Sequence, residues 1–316
     1  MTANETRIGL DYPDGWFQVA YSAEVADRQV VPLRYFGQEL VLFRTQSGAA
    51  QVLDAYCPHI GAHLGFGGTV DGECIRCPFH SWAYGTDGVC RDIPYAERIP
   101  RGAQVRSWPT VERSGLIFVW HSLAANEPQW QPPALDEFDD ADWVGYRRHQ
   151  YIVKSAVQEV IENVFDVAHG QYVHQNAQGM AMPSVAFSFD GHCAEAVFDI
   201  DIPLVGGPTR HVTTLHGPAI AMNRSSGQGT KVFYSNYTPI EPDVLEVNFS
   251  FMTPRSTADD PTGERSARSA QGTVMAFEQD IPIWEHKIHR RVPLLCDGDG
   301  AVSKFRVWMR QFYAES

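Results

Sequence analysis

With 316 residues, 44% of them apolar and 20% charged, the chain has the composition of an ordinary globular protein and the length for two domains with sizeable cores. The formal net charge of −13 speaks against nucleic acid as a partner, since nucleic acid rewards clustered Lys and Arg. Residues 1–7 lack the apolar core of a signal peptide, and the longest apolar stretch, near residues 116–120, is far too short to cross a bilayer, so a cytoplasmic protein with no membrane span is expected.

Residues from about Trp16 to His121 read as short β-strands. Segments 30–36, 40–45 and 50–56 are separated by Gly37 and by Ser47-Gly48, the pattern of a meander. Strand signals continue at 82–89 and 116–120, with no helix-length amphipathic period between them. Within this stretch stand Cys57-Pro58-His59 and, after seventeen intervening residues, Cys77-Pro78-Phe79-His80. Each half offers one thiolate and one imidazole. That is the ligand set of a Rieske [2Fe–2S] cluster, in which two Cys hold one iron and two His the other. Zinc also accepts two Cys with two His, but its usual pairs are of one residue type, whereas both pairs here are mixed. Gly61, Gly65, Gly67 and Gly68 follow the first pair, and Gly85 and Gly88 the second, so both loops can close over a compact inorganic core. Cys74, Cys90, Cys193 and Cys296 show no disulfide spacing, and Cys74 reads as a strand residue beside the cluster.

A Pro- and acid-rich connector over 128–142 marks a domain boundary. The best helix candidate follows at 155–173. Strands are expected at 185–198, 211–215, 231–238 and 245–251, and helices at 273–290 and 302–313, the last with Phe305, Trp308, Met309 and Phe312 on one face. The expected fold class is α+β: an all-β cluster domain over residues 14–122, then a catalytic domain over 123–316 with an antiparallel sheet flanked by helices. Residues 1–13 are expected to pack on the second domain.

The helix candidate carries Asn163, Asp166 and His169, with His174 just beyond it. Two neutral imidazoles and one carboxylate form the facial triad of non-haem Fe(II) oxygenases, which leaves positions open for O2 and substrate. Five residues apart on a regular helix, His169 and His174 point about 140° from each other. The helix must therefore end or bulge between them, and Gly170 offers the place. The third ligand has to come from another element. Residues 277–287 offer Glu278, Asp280 and Glu285, and periodicity does not separate Asp280 from Glu278.

Together and in this order, the two motifs resemble the α-subunits of Rieske non-haem iron oxygenases, over nearly the whole chain. The pattern N-x-x-D-x-x-H-x4-H is met by Asn163, Asp166, His169 and His174. The text Gln279-Asp280-Ile281-Pro282-Ile283-Trp284-Glu285-His286-Lys287, then Pro293-Leu294-Leu295-Cys296, and the run at 108–120 resemble the 3-ketosteroid 9α-hydroxylase oxygenase and cholesterol 7-desaturase branch. The resemblance implies a helix-grip catalytic domain and selects Asp280 as the third iron ligand, with Glu278 the alternative. It also implies a head-to-tail homotrimer, in which Asp166 links a cluster histidine of one chain to an iron histidine of the next.

The implied activity is that of a monooxygenase with two cofactors, the [2Fe–2S] cluster and a mononuclear Fe(II). It hydroxylates an unactivated C–H bond of an apolar, polycyclic, steroid- or terpenoid-like substrate. Desaturation, demethylation and ring formation use the same cofactors. Electrons must come from a separate NAD(P)H reductase, directly or through a ferredoxin, because no G-x-G-x-x-G fingerprint follows a strand. A non-catalytic electron carrier would need none of His169, His174 and Asp280. Pocket walls are expected from Met180 and Met182 after His174, and from Phe187, Phe233, Phe249, Phe251 and Trp284.

Overall fold

The computed structural model describes residues 7–174, 183–202, 207–258 and 260–313. The chain divides into two units, one of residues 16–132, the other of Pro133 onward together with the residues up to Gly15.

The first unit is all-β among its regular sheets. β1 (Gly15–Tyr21) leads to the hairpin of β2 (Val30–Tyr35) and β3 (Gln38–Arg44), then β4 (Ala50–Asp54). These last three are neighbours in one sheet, the expected meander. The β2–β3 turn is the two residues Phe36 and Gly37, both with positive φ (54° and 69°), the conformation that matches the twist of a tight hairpin. Phe36 is held there by its ring, which stacks on His121 and on Trp108 at 4.6 and 5.5 Å. A second sheet contains β5 (Thr69–Asp71), β6 (Cys74–Arg76), β7 (Ala83–Tyr84) and β8 (Cys90–Asp92) in that order. The strand expected over 82–89 is therefore cut to two residues. The Gly88 N–H closes a turn onto the Gly85 carbonyl at 2.9 Å before β8 begins. β9 (Ser107–Trp108), β10 (Thr110–Arg113) and β11 (Leu116–His121) complete the unit.

The second unit is built on a seven-stranded antiparallel sheet. Its strands are β12 (Trp143–Val153), β13 (Val185–Asp190), β14 (Cys193–Ile202), β15 (Gly207–His216), β16 (Ile220–Gly227), β17 (Lys231–Glu241) and β18 (Val244–Pro254). Their spatial order is β12-β18-β17-β16-β15-β14-β13, a run of hairpins with β12 added to the far edge. Residues 185–198, expected as one strand, are two, because Gly191 (φ 52°) turns the chain. β12 and β16 were not expected. β12 carries Arg147, Arg148 and His149, and its register on β18 is regular apart from one shift between Val144 and Arg147.

The helices are α1 (Val157–Ile161), α2 (Ala168–Val173), α3 (Glu264–Trp284) and α4 (Val302–Met309). α3 starts nine residues before the expected 273 and ends six before 290. Its start is fixed by Asp260, whose carboxylate accepts the N–H groups of Arg265 and Ser266 at 3.2 and 2.8 Å and so satisfies two of the free donors of a first turn. α4 buries Phe305, Trp308 and Met309 as expected, and Phe312 follows in a 3-10 turn. An α+β architecture with an antiparallel sheet flanked by helices is thus the observed one.

Candidate metal centres

The first centre is made by two loops with one backbone pattern. After β4, the Cys57 N–H donates to the Ala62 carbonyl (2.9 Å) and the Gly61 N–H to the Cys57 carbonyl (3.0 Å). After β6, the Cys77 N–H donates to the Trp82 carbonyl and the Ser81 N–H to the Cys77 carbonyl, at the same two lengths. The fifth residue of each loop is left-handed, Gly61 at φ 82° and Ser81 at 59°. Glycine takes this conformation freely, whereas serine does so at a steric cost. Gly68 is needed for another reason: a Cβ there would stand 2.1 Å from the Leu64 carbonyl oxygen.

These loops gather all four expected ligands. Cys57 and Cys77 are 2% and 4% exposed, in an apolar cluster with Leu64, Ile75 and Tyr84. The His59 and His80 rings lie 4.6 Å apart, and His59 stacks on Trp82, whose Nε1 donates to the Tyr95 hydroxyl at 2.8 Å. Both histidine Nδ1 atoms are buried without a hydrogen-bond partner. Orphaned ring nitrogens beside two buried thiols are costly in a protein alone, and they fit a cluster held by mixed thiolate and imidazole ligands. The Tyr84 hydroxyl stands 3.0 Å from Cys57 Sγ. Burial pushes the Cys57 thiol up, and the Tyr84 hydrogen bond opposes that push. Cys74 begins β6 opposite Asp71.

The second centre depends on a broken helix. α1 stops at Ile161, a 3-10 turn covers Glu162–Val164, and α2 ends at Val173. His174 is extended (φ −83°, ψ 111°). The change of direction that brings the two imidazoles together falls at His174, not at Gly170, whose carbonyl still accepts the His174 N–H at 3.2 Å. The Nε2 atoms of His169 and His174 are 3.3 Å apart. Asp280 Oδ2, from α3, lies 3.9 and 3.8 Å from them.

The His169 tautomer follows from its neighbour. Its Nδ1–H donates to the Asp166 backbone carbonyl at 2.5 Å, which leaves the Nε2 lone pair facing Asp280. The resemblance implies a bond from an iron histidine to the Asp166 carboxylate. That carboxylate stands 4.0 Å from Nδ1 and instead approaches the His169 backbone N–H at 3.4 Å. Asp280 is buried, which pushes its carboxyl up to about 6 against the pull of His169 and Asn163. Burial, then the neighbouring His169, hold His174 below the ordinary imidazole range. A buried carboxylate and two imidazole Nε2 atoms converge within 4 Å of one another, a donor set that a divalent cation would satisfy, so the residues fit a mononuclear iron.

The other two carboxylates of residues 277–287 are engaged elsewhere. Glu278 accepts from the Tyr151 hydroxyl at 2.8 Å, and Glu285 lies 3.4 Å from the Lys154 N–H. Asn163 Oδ1 receives Trp284 Nε1 at 3.4 Å. Behind the triad is a buried ionic network that sequence reasoning missed. Glu159, fully buried, pairs with Lys287 and His289 at 2.6 Å each, and Glu162 pairs with Arg306. Long-range packing of the segment after α3 against α1, and of α4 against the 3-10 turn, brings these groups together.

Beside the triad is a cavity of about 380 Å³, in the range of small-molecule sites. Phe233, Phe249 and Trp284 line it, as expected. Phe187 and Phe251 do not: Phe187 packs on Phe165 at 5.7 Å, and Phe251 lies against Phe233 at 4.4 Å. Met180 and Met182 lie outside the described residues. Thr213, Asn223 and Ser235 add a polar strip to the lining that the sequence did not suggest. Asn223 joins it, accepting from Thr213 Oγ1 at 2.8 Å and donating to Ser235 Oγ at 3.1 Å. The strip arises from register, since Thr213 pairs with Asn223 across β15 and β16.

Comparison with known proteins agrees with this geometry. Residues 15–109 match the Rieske [2Fe-2S] domain, and residues 119–313 match the 3-ketosteroid 9α-hydroxylase C-terminal domain. The chain belongs to the 3-ketosteroid 9α-hydroxylase branch of the Rieske non-haem iron oxygenases. It is 33% identical to a probable 3-ketosteroid-9-alpha-monooxygenase oxygenase component of Rhodococcus rhodochrous, over 96% of this chain and 80% of the relative. It is 32% identical to the cholesterol 7-desaturase nvd of Drosophila melanogaster, over 96% and 76%. Its fold is shared by the Pseudomonas putida CBB5 protein NdmA solved with caffeine (TM-score 0.77, 19% identity, 93% of this chain and 89% of that one). Dicamba monooxygenase bound to dicamba is similar too (TM-score 0.71, 20% identity, 94% and 96%). As a Rieske oxygenase, the chain carries a [2Fe–2S] cluster and a mononuclear iron, and its electrons come from a separate reductase. No described helix is long and apolar enough to cross a membrane.

Proposed function

We propose that this oxygenase hydroxylates a C–H bond of an apolar, steroid-like substrate. The observation that carries the reading is the approach of Asp280 Oδ2 to within 4 Å of both Nε2 atoms at the edge of a largely apolar cavity. In this reading Cys57, His59, Cys77 and His80 hold the cluster, and His169, His174 and Asp280 hold the iron. When bound, the cluster supplies single electrons and the iron activates O2.

The chain's own part is to bind, orient and exclude water. The Asp166 carbonyl keeps the His169 proton on Nδ1. Asn163, bonded to Trp284, stands beside Asp280 and steadies its charge. Phe233 and Phe249 keep the substrate chamber dry, and the Thr213–Asn223–Ser235 strip can orient a substrate oxygen. The Asp166 side chain, 34% exposed, is free to accept a hydrogen bond from a cluster histidine of another copy. A head-to-tail homotrimer supplies that copy through a contact that closes on itself. The reductase uses NAD(P)H, directly or through a ferredoxin, and the setting is the cytoplasm.

Desaturation is the second reading, favoured by a likeness to the Drosophila desaturase that is within one percentage point of the likeness to the Rhodococcus oxygenase. The test is turnover with a surrogate reductase, NADH and O2 on a panel of 3-ketosteroids and sterols, read by mass spectrometry. A gain of one oxygen atom supports hydroxylation, and a loss of two hydrogens supports desaturation. O2-dependent NADH oxidation with no change in any steroid sinks both.

A further inference from the structure

A second set of metal-binding side chains stands at the opposite end of the β13–β14 hairpin from the cavity. His192 and Cys193 lie at the turn of that hairpin, and His216 ends β15. One ligand atom from each lies within 4.8 Å of the other two. Cys193 is the register partner of His216, and its Sγ is 3.8 Å from His216 Nδ1. In a tetrahedral zinc site, with bonds of about 2.3 Å to sulfur and 2.0–2.1 Å to nitrogen, these two atoms sit roughly 3.6 Å apart. The gap present is within a few tenths of an ångström of that.

The frame behind these residues is fixed by hydrogen bonds to the backbone. The Gly191 carbonyl accepts from Trp308 Nε1 and from Gln311 Nε2 at 2.9 and 3.0 Å. The His192 carbonyl accepts the Gly217 N–H at 2.8 Å, tying the β13–β14 turn to the β15–β16 turn. Donor groups held on a rigid frame need little rearrangement to bind. All three residues are half-buried, so an ion can reach them while losing much of its water.

We propose that His192, Cys193 and His216 bind a zinc ion that staples these two turns together. One thiolate and two imidazoles suit a borderline or soft cation and not Mg²⁺ or Ca²⁺. Three protein ligands leave one position for water. None of the three belongs to the iron triad or lines its cavity, and cavity-lining Phe198 is five residues along β14 from Cys193, roughly 17 Å at strand rise. On binding, the thiol proton leaves to solvent and a sulfur–metal bond forms, with no change of oxidation state.

The test uses the holoenzyme with both iron centres filled. Zinc is added, excess is removed, and metals are counted by mass spectrometry. Co²⁺ serves as a second probe, because only a sulfur-ligated cobalt gives thiolate-to-metal charge-transfer absorption, which a site of two imidazoles and a carboxylate lacks. The expected result is one zinc per chain with iron unchanged, a cobalt–thiolate band in the difference spectrum, and a higher Tm with zinc. Cys193→Ala should lose the band, the zinc equivalent and the Tm rise while keeping its iron. If that variant does not fold, His216→Gln carries the same comparison. Absence of retained zinc, or equal retention by wild type and the variants, would overturn the proposal.

Discussion

Asp280 Oδ2 stands 3.9 Å from His169 Nε2, although the two residues lie on different helices and 111 positions apart in the chain. Glu278, one alternative on the same helix, commits its carboxylate to the Tyr151 hydroxyl. Asp280→Ala should therefore lose the mononuclear iron, keep the coloured cluster and have no turnover. Glu278→Ala should retain both. Metal counts and the visible spectrum of the two variants decide it, and retention of iron by Asp280→Ala would move the ligand role to another carboxylate.

Proton competition at Asp280 sets a pH dependence. The ionised carboxylate binds metal and the protonated one does not, and burial raises its pKa to about 6 in the metal-free protein. Iron affinity should thus be nearly flat above pH 7 and fall as pH drops through 6, by at least about tenfold per unit once the acid form dominates. Iron retention after dialysis across pH 5 to 8 measures this. A profile that stays flat to pH 5 contradicts the assignment.

Asp166 offers its carbonyl to His169 and leaves its carboxylate partly exposed. Asp166→Asn keeps the backbone carbonyl, so both metals should stay, while substrate-coupled turnover drops by about 10- to 100-fold. Near-normal turnover would remove the bridging role. Sedimentation of the wild-type holoenzyme should give three copies, and a monomer at micromolar concentration would leave Asp166 nothing to bridge.

The Tyr84 hydroxyl, 3.0 Å from Cys57 Sγ, must donate once that sulfur is a metal-bound thiolate. A donor to sulfur favours the reduced, more negative cluster. Tyr84→Phe should lower the reduction potential by tens of millivolts, since about 1 kcal/mol of differential stabilisation is roughly 40 mV for one electron. Redox titration followed by absorbance reads the shift, and an unchanged or raised potential would refute the donor role.

How much of this was legible depended on range. The cluster loops are local: Cys57 to Ala62 and Cys77 to Trp82 each close on themselves through short backbone bonds, so their spacing carries their geometry. The broken helix could be inferred from the five-residue gap between His169 and His174, but the break lies at His174 because α2 runs on through Gly170 to Val173. Asp280 could not be chosen by periodicity; a resemblance chose it, and packing of α3 brings it to the histidines. Strand register was illegible. It creates the polar strip at Thr213, Asn223 and Ser235 and the pairing of Cys193 with His216, neither visible along the chain. The early start of α3 was missed because Asp260, which accepts its first-turn N–H groups, precedes a Pro-Thr-Gly stretch that reads as loop.

The central claim is that the cluster and the triad act as one device, and a single turnover tests it. The holoenzyme is reduced chemically, freed of reductant, and mixed with O2 with and without a 3-ketosteroid, for wild type and Asp280→Ala. The account predicts that wild-type cluster reoxidation is accelerated by substrate and accompanied by oxidised product, and that the variant shows neither. Equal cluster oxidation in both proteins, indifferent to substrate and without product, would contradict it.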